Sequence, residues 1–101
     1  MNSWEKHKEK LEALSQALDQ VLGGLDLEYE LKTPTEEELS KGIKVPYVLL
    51  RFYTDEKHYH ERKIELFDYY FEQPVEETAK LIRDMAEEFI MEIEQSEYGG
   101  G

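Results

Sequence analysis

Cysteine is absent from the 101 residues, which removes disulfides, thiolate metal sites and a cysteine nucleophile together. No apolar run approaches the length that a bilayer demands, and the opening MNSWEKHKEK has no apolar signal core. These absences predict a cytoplasmic protein. Basic residues are scarce, 12 Lys and Arg against 24 Asp and Glu, for a formal charge of -12. Nucleic-acid binders draw most of their affinity from Lys and Arg displacing counterions, so direct binding to nucleic acid or to an anionic membrane is not expected. An acidic surface favours a basic protein partner, or a groove on another protein that normally takes a charged polymer.

Other chemistries fall away on spacing. Gly23, Gly24, Gly42 and the terminal glycines form neither a phosphate loop nor a dinucleotide fingerprint. Ser3, Ser15, Ser40 and Ser96 have no nucleophile-elbow glycines beside them. Carboxylate pairs such as Glu36 with Glu37 and Glu87 with Glu88 lie on predicted solvent faces, where nothing drives two pKa values apart as acid-base catalysis requires. The expectation is a protein that is not an enzyme and needs no cofactor.

What is present is a regular alternation of patterns. Trp4, His7, Leu11, Leu14, Leu18, Val21 and Leu25 recur at helical spacing and predict a helix over 3–22, started by Asn2 with Glu5 and stopped by a left-handed cap at Gly23 and Gly24. LDLEYEL, residues 25–31, alternates strictly and predicts a strand with Leu25, Leu27, Tyr29 and Leu31 on its buried side. In TPTEEELSKG, Thr33 with Glu36 resembles a capping box and predicts a helical turn ending near Gly42. VPYVLLRFYT at 45–54 and RKIELFDYYF at 62–71 predict two strands joined by a hairpin around Asp55 to His58. If Phe52 faces His60, Val48 faces Ile64 and Leu50 faces Arg62 on one side, while Arg51 faces Glu61 and Tyr47 faces Glu65 on the other, so one register satisfies both apolar and charged pairs. Pro74 then opens a helix with a stripe of Val75, Ala79, Ile82, Met85, Ala86, Phe89, Ile90 and Ile93. The reading is a single α+β domain over 1–97, in the order α-β-β-β-α, with a three-stranded antiparallel sheet, both helices packed on one face and a flexible Gly-rich tail at 98–101.

His58 and His60 are one residue apart in EKHYHER. On a strand they would share a face and offer a metal two ligands, with His7 or Glu61 to complete the set. Zinc needs three or four converging ligands, however, and the expectation is a turn residue and a marginal packing residue, with no metal site. The second face of the sheet is the stronger candidate. Its parity collects Glu28, Glu30, Tyr47, Leu49, Arg51, Tyr53, Glu61, Glu65, Phe67 and Tyr69, and tyrosines with arginine among charges are typical contact residues.

The element order is similar to that of the double-stranded-RNA-binding domain, but PVEETAKLIRD opens with Glu76 and Glu77 where that family presents lysines to phosphate, so its function is not implied. LGGLDLEYEL, VPYVLLRFY and KIELFDYYFEQPVEETAKLIRDMAEEF resemble, in order and pattern, the small neck and tail-terminator proteins of tailed phages and prophages. That resemblance implies a ring-forming, non-enzymatic structural subunit, virion-associated and homo-oligomeric. The alternative is an acidic inhibitor, an immunity or anti-defence protein, that blocks a basic groove of an enzyme.

Overall fold

The strictly alternating segment and the two aromatic-aliphatic runs after it form one antiparallel sheet whose strands lie side by side in chain order. A computed structural model describes residues 3–99. Its strands are β1 (Glu28–Lys32), β2 (Tyr47–Tyr53) and β3 (Tyr59–Glu65). A 3-10 segment, Ser3–His7, leads into α1 (Lys8–Leu22), a short α2 (Glu36–Ser40) stands between β1 and β2, and a 3-10 turn, Asp68–Phe71, precedes α3 (Val75–Gly99). The fold class is α+β, as the sequence implies. No helix among the described residues is long and apolar enough to cross a membrane.

The hairpin pairs as the sequence requires: Phe52 with His60, Leu50 with Arg62, Val48 with Ile64 on one face, Arg51 with Glu61 and Tyr47 with Glu65 on the other. The apolar face meets both long helices. Val48, Leu50, Phe52 and Ile64 share one buried cluster with Leu11, Leu14, Leu18 and Leu22 of α1 and with Ala79, Ile82, Ala86, Phe89 and Ile93 of α3. Two helical stripes and one sheet face are thereby removed from water, the dominant favourable term for a chain of this size.

Several boundaries differ from the sequence reading. The strand expected over 62–71 begins earlier, at Tyr59, and ends at Glu65. Tyr70 and Phe71 are adjacent and both buried; a strand covered on only one face would expose one of them, whereas the 3-10 turn brings both into the core. The NH of Leu66 still donates to the Pro46 carbonyl at 2.9 Å, carrying the ladder one step past both strands. β1 starts at Glu28, opposite Arg51, so the segment from Leu25 alternates in burial before it pairs.

The capping box forms two residues later than expected, with Thr35 as N-cap: Thr35 Oγ1 accepts from the Glu38 NH at 3.1 Å, and the Thr35 NH donates to Glu38 Oε1 at 3.2 Å. Overlapping Thr-x-x-Glu patterns exist in TPTEEE, and the hydroxyl of Tyr47, donating to Glu38 Oε2 at 3.0 Å, favours the second. The first helix begins as a 3-10 segment, and α1 has no side-chain cap at His7. Asn2, the expected cap, lies outside the described residues. Gly23 continues right-handed at φ -60, in place of the anticipated left-handed cap. Glycine serves there by close approach, since a Cβ would sit 2.8 Å from the Asp19 carbonyl oxygen. Left-handed backbone falls instead at Gly42, at φ 93. α3 runs to Gly99, so the expected tail at 98–101 falls partly on that helix and partly, at 100–101, outside the described residues.

Two polar ties hold the turn before α3. Buried Thr78 donates to the Tyr70 carbonyl at 2.7 Å and accepts from Gln73 Nε2 at 2.9 Å. Lys10 of α1 donates to the Phe71 carbonyl.

Leu18→Ala should destabilise the chain by about 2–5 kcal/mol, because the residue sits in the centre of the cluster and its loss leaves a cavity. Gly42→Ala should cost about 1–2 kcal/mol through its left-handed backbone alone, nothing being within 4 Å of the added carbon. Denaturant unfolding measures both, and a Gly42→Ala variant as stable as the parent would show that the φ is not required.

Candidate functional site

The face of the sheet turned away from α1 and α3 is organised around Arg51 in the central strand. Its Nη2 donates to Glu61 Oε2 at 2.6 Å and its Nε to the same oxygen at 3.0 Å, while Nη1 lies 3.9 Å from Glu28 Oε1. The guanidinium carbon stands 4.8 Å from the Tyr59 ring centroid, and the Tyr59 ring packs tilted against Tyr53 at 5.4 Å. Hydrogen bonds to Glu61 and then to Tyr53 raise the Arg51 pKa above its ordinary value. An exposed ion pair contributes little to stability. What it does here is orient a planar five-donor group across three strands.

The aromatic residues set the character of this face. Tyr53 is 44% exposed, Tyr59 49%, Phe67 45% and Tyr69 58%. Tyr53 and Tyr59 occupy the hairpin end, and Phe67 and Tyr69, whose rings stack at 6.3 Å, follow the other end of β3. Tyr69 also stacks on buried Tyr70 at 4.3 Å, and its hydroxyl, with burial, pushes the Tyr70 phenol up to about 12.

Of the residues assigned to this face from sequence, Glu28, Glu30, Tyr53, Glu61 and Glu65 are exposed, and Leu49 and Arg51 half-buried. Phe67 and Tyr69 are exposed but lie beyond β3, in the segment that turns toward α3. Tyr47 is a correction. Its parity is right, yet it is only 6% exposed, because Glu38 of α2 accepts its hydroxyl proton and Lys63 lies 4.3 Å from its ring centroid. The hydrogen bonds from Thr35 and Tyr47 lower the Glu38 pKa. α2 therefore covers one corner of a face expected to be wet throughout. Tyr59 is missed by the sequence reading, although the Phe52–His60 register implies its pairing with Tyr53; a strand started at Arg62 hides it.

The histidines separate. His58 belongs to the hairpin turn: its carbonyl accepts from the Thr54 NH at 2.9 Å and its Nδ1 is 2.8 Å from Asp55 Oδ2. Asp55 also accepts from the backbone NH of Lys57 at 2.7 Å, and these bonds hold its pKa low. His60 lies opposite Phe52 at the sheet's margin. His7 stacks on Phe71 at 4.4 Å with Nε2 3.2 Å from Asp68 Oδ1, beside the turn that follows the other end of β3. Among the described residues no three His, Cys, Asp or Glu side chains gather as metal ligands would.

The third feature is the outer margin of β1. A cleft of about 400 Å³ is lined by Leu27, Glu28, Tyr29, Glu30, Leu49 and Arg51. Tyr29 anchors this strand to α1 by donating its hydroxyl to Asp19, which together with burial raises its pKa to about 12.

No family model matches this chain, and neither does any curated protein or solved structure. Function therefore has to be carried by the geometry of the face and of the β1 margin.

A phenol whose folded pKa is raised contributes stability that is complete below its unfolded value of 10 and is lost as pH rises toward about 12. Tyr29→Phe should therefore lower stability at neutral pH and flatten the decline across that alkaline window. Thermal melts from pH 8 upward, with phenolate absorbance recorded alongside, measure this; an unchanged pH slope would show that the Tyr29–Asp19 bond is not formed in solution.

Proposed function

We propose that the chain is a non-enzymatic assembly protein that works by protein contact through the outer face of its sheet. The observation that carries this reading is the exposed pair of rings, Tyr53 and Tyr59, packed beside an ion-paired Arg51 on the outer face, with two further exposed rings, Phe67 and Tyr69, in the segment that follows β3. Aromatic rings bury large areas at small entropic cost and arginine bonds in a plane, so both residue types concentrate binding energy. The face carries both signs of charge, Arg51 and Lys63 among Glu28, Glu30, Glu61 and Glu65, which suits pairing with a second copy. A ring-forming subunit, as the tail-terminator resemblance implies, is the form of assembly that fits this reading.

The second reading is an acidic inhibitor that occupies a basic groove of an enzyme. The net charge of -12 favours it, since charge of one sign steers encounter with an oppositely charged partner.

Light scattering at low and high salt tests the first reading. The expected result is a multiple of the 12.0 kDa chain mass that persists at high salt and falls toward monomer in the Tyr59→Ala/Tyr69→Ala variant, both positions being exposed and outside the core. A strict monomer at high concentration in both salts would overturn self-assembly. The inhibitor reading then requires a basic partner whose binding weakens steeply as salt screens the charges.

A further inference from the structure

We infer that the free edge of β1 takes a fourth strand, supplied by an extended basic segment of another protein in which apolar and Lys or Arg residues alternate. This goes beyond the outer-face reading: it concerns the free edge of β1, which borders that face and shares Glu28, Glu30 and Arg51 with it, and a different kind of partner.

Three features of β1 converge on it. In the sheet order β1-β2-β3, β1 has β2 on one side and, among the described residues, no strand on the other, so one row of its backbone NH and carbonyl groups is available for pairing. Its apolar side is unfinished. Leu25, Leu27, Tyr29 and Leu31 pack against the core but are only half-buried, whereas Val48, Leu50 and Phe52 in the neighbouring strand and Ile64 beyond it are buried. A further strand would bring its own apolar side chains over that row. The other parity is acidic: Asp26, Glu28 and Glu30 are all exposed.

The clefts follow the same line. The one beside Glu28 and Glu30 shares Leu27 and Glu28 with a second, of about 280 Å³, that adds Leu25, Asp26 and Tyr53. Together they lie along residues 25–30 and lead onto the paired strand Glu28–Lys32, a length of about 17 Å at strand rise, enough for roughly five residues of an added strand. Arg51, which lines the first cleft, is held by Glu61 at 2.6 Å and stands farther, at 3.9 Å, from Glu28. Lys32 lies 4.0 Å from Glu30 at the end of the strand, which leaves the Asp26 to Glu30 stretch as the acidic one.

Charge decides the occupant. A second copy of β1 laid along this edge would set Asp26, Glu28 and Glu30 against their own equivalents, and like charges facing across a ladder are destabilising. A strand with Lys or Arg at alternate positions meets them with opposite charge, while its remaining side chains continue the Leu27–Tyr29–Leu31 row. The opposite edge differs on both counts. β3 carries both signs in Glu61, Arg62, Lys63 and Glu65, and Arg62 bridges to Glu92 of α3 at 2.9 Å with its guanidinium over Phe89. Backbone pairing would supply affinity and the alternation specificity, the mode known as strand addition.

The test uses a capped heptapeptide alternating Lys and Val, against the same residues in block order and against the alternating peptide N-methylated at every second residue. Amide shifts and hydrogen exchange of the full-length chain are recorded on titration. The expected result is that the alternating peptide shifts and protects the amides of residues 25–32, and that both control peptides bind at least about tenfold more weakly. Glu28→Lys/Glu30→Lys, a change confined to exposed side chains, should likewise weaken the peptide by about tenfold or more with an unaltered circular dichroism spectrum. Tyr59→Ala/Tyr69→Ala should leave peptide binding intact, so that loss of the outer-face assembly and loss of the edge site are read separately. Equal binding of the block-order peptide, shifts centred on the acidic side of α3, or no binding would overturn the proposal.

Discussion

In the hairpin of β2 and β3, Phe52 stands opposite His60, and every other cross-strand pair of the hairpin follows from that one pairing. Side chains alternate with a period of two, so a slip by one residue would send Val48, Leu50 and Phe52 into water and turn Leu49, Arg51 and Tyr53 toward α1 and α3. Burying a guanidinium against leucines without its carboxylate costs roughly several kcal/mol on top of the apolar area lost. The native register avoids this, and it also brings Arg51 to Glu61 and Val48 to Ile64. The helices then have a single apolar surface to cover, and α1 and α3 close over it together.

The same alternation gives the protein an outer face, and the short elements decide how much of it remains open. α2 brings Glu38 to the hydroxyl of Tyr47 and closes one corner. The 3-10 turn after β3 brings Tyr70 and Phe71 into the core while leaving Phe67 and Tyr69 outside. The two edges of the sheet are also unequal. β3 is braced by Arg62 and Glu92 across to α3, whereas β1 is anchored by Tyr29 to Asp19 and leaves its leucine row half-covered. With one braced edge and one acidic, unfinished edge, the small sheet offers a different chemistry at each margin and another on the face between them.

Much of this is readable in the chain. The stripe from Leu11 to Leu22 and that from Val75 to Ile93 define the helical faces, and the register of the hairpin is recoverable from matching apolar and charged pairs. The errors cluster where local patterns are degenerate. TPTEEE holds two overlapping capping boxes, and only the reach of Tyr47 to Glu38 selects between them. RKIELFDYYF is rich in strand-forming residues despite Asp68, and its pattern does not mark Glu65 as the end; the 3-10 turn that follows brings Tyr70 and Phe71 into the core together. The paired glycines after α1 suggest a left-handed cap, but the chain leaves the helix right-handed, with Gly23 close under the Asp19 carbonyl.

For the candidate site the division is similar. Parity places Glu28, Arg51, Tyr53 and Glu61 on one face because strand alternation is a local, geometric property of the backbone. The sequence by itself therefore determined the two helical stripes, the hairpin register and the sidedness of the sheet, all of which arise from periodicity and from pairing between neighbours in the chain. Only the tertiary structure decided that Tyr47 is covered and that the row from Leu25 to Leu31 is left incompletely buried. Those outcomes depend on how much area distant elements cover, and coverage is a sum over the whole packed molecule that no local pattern encodes.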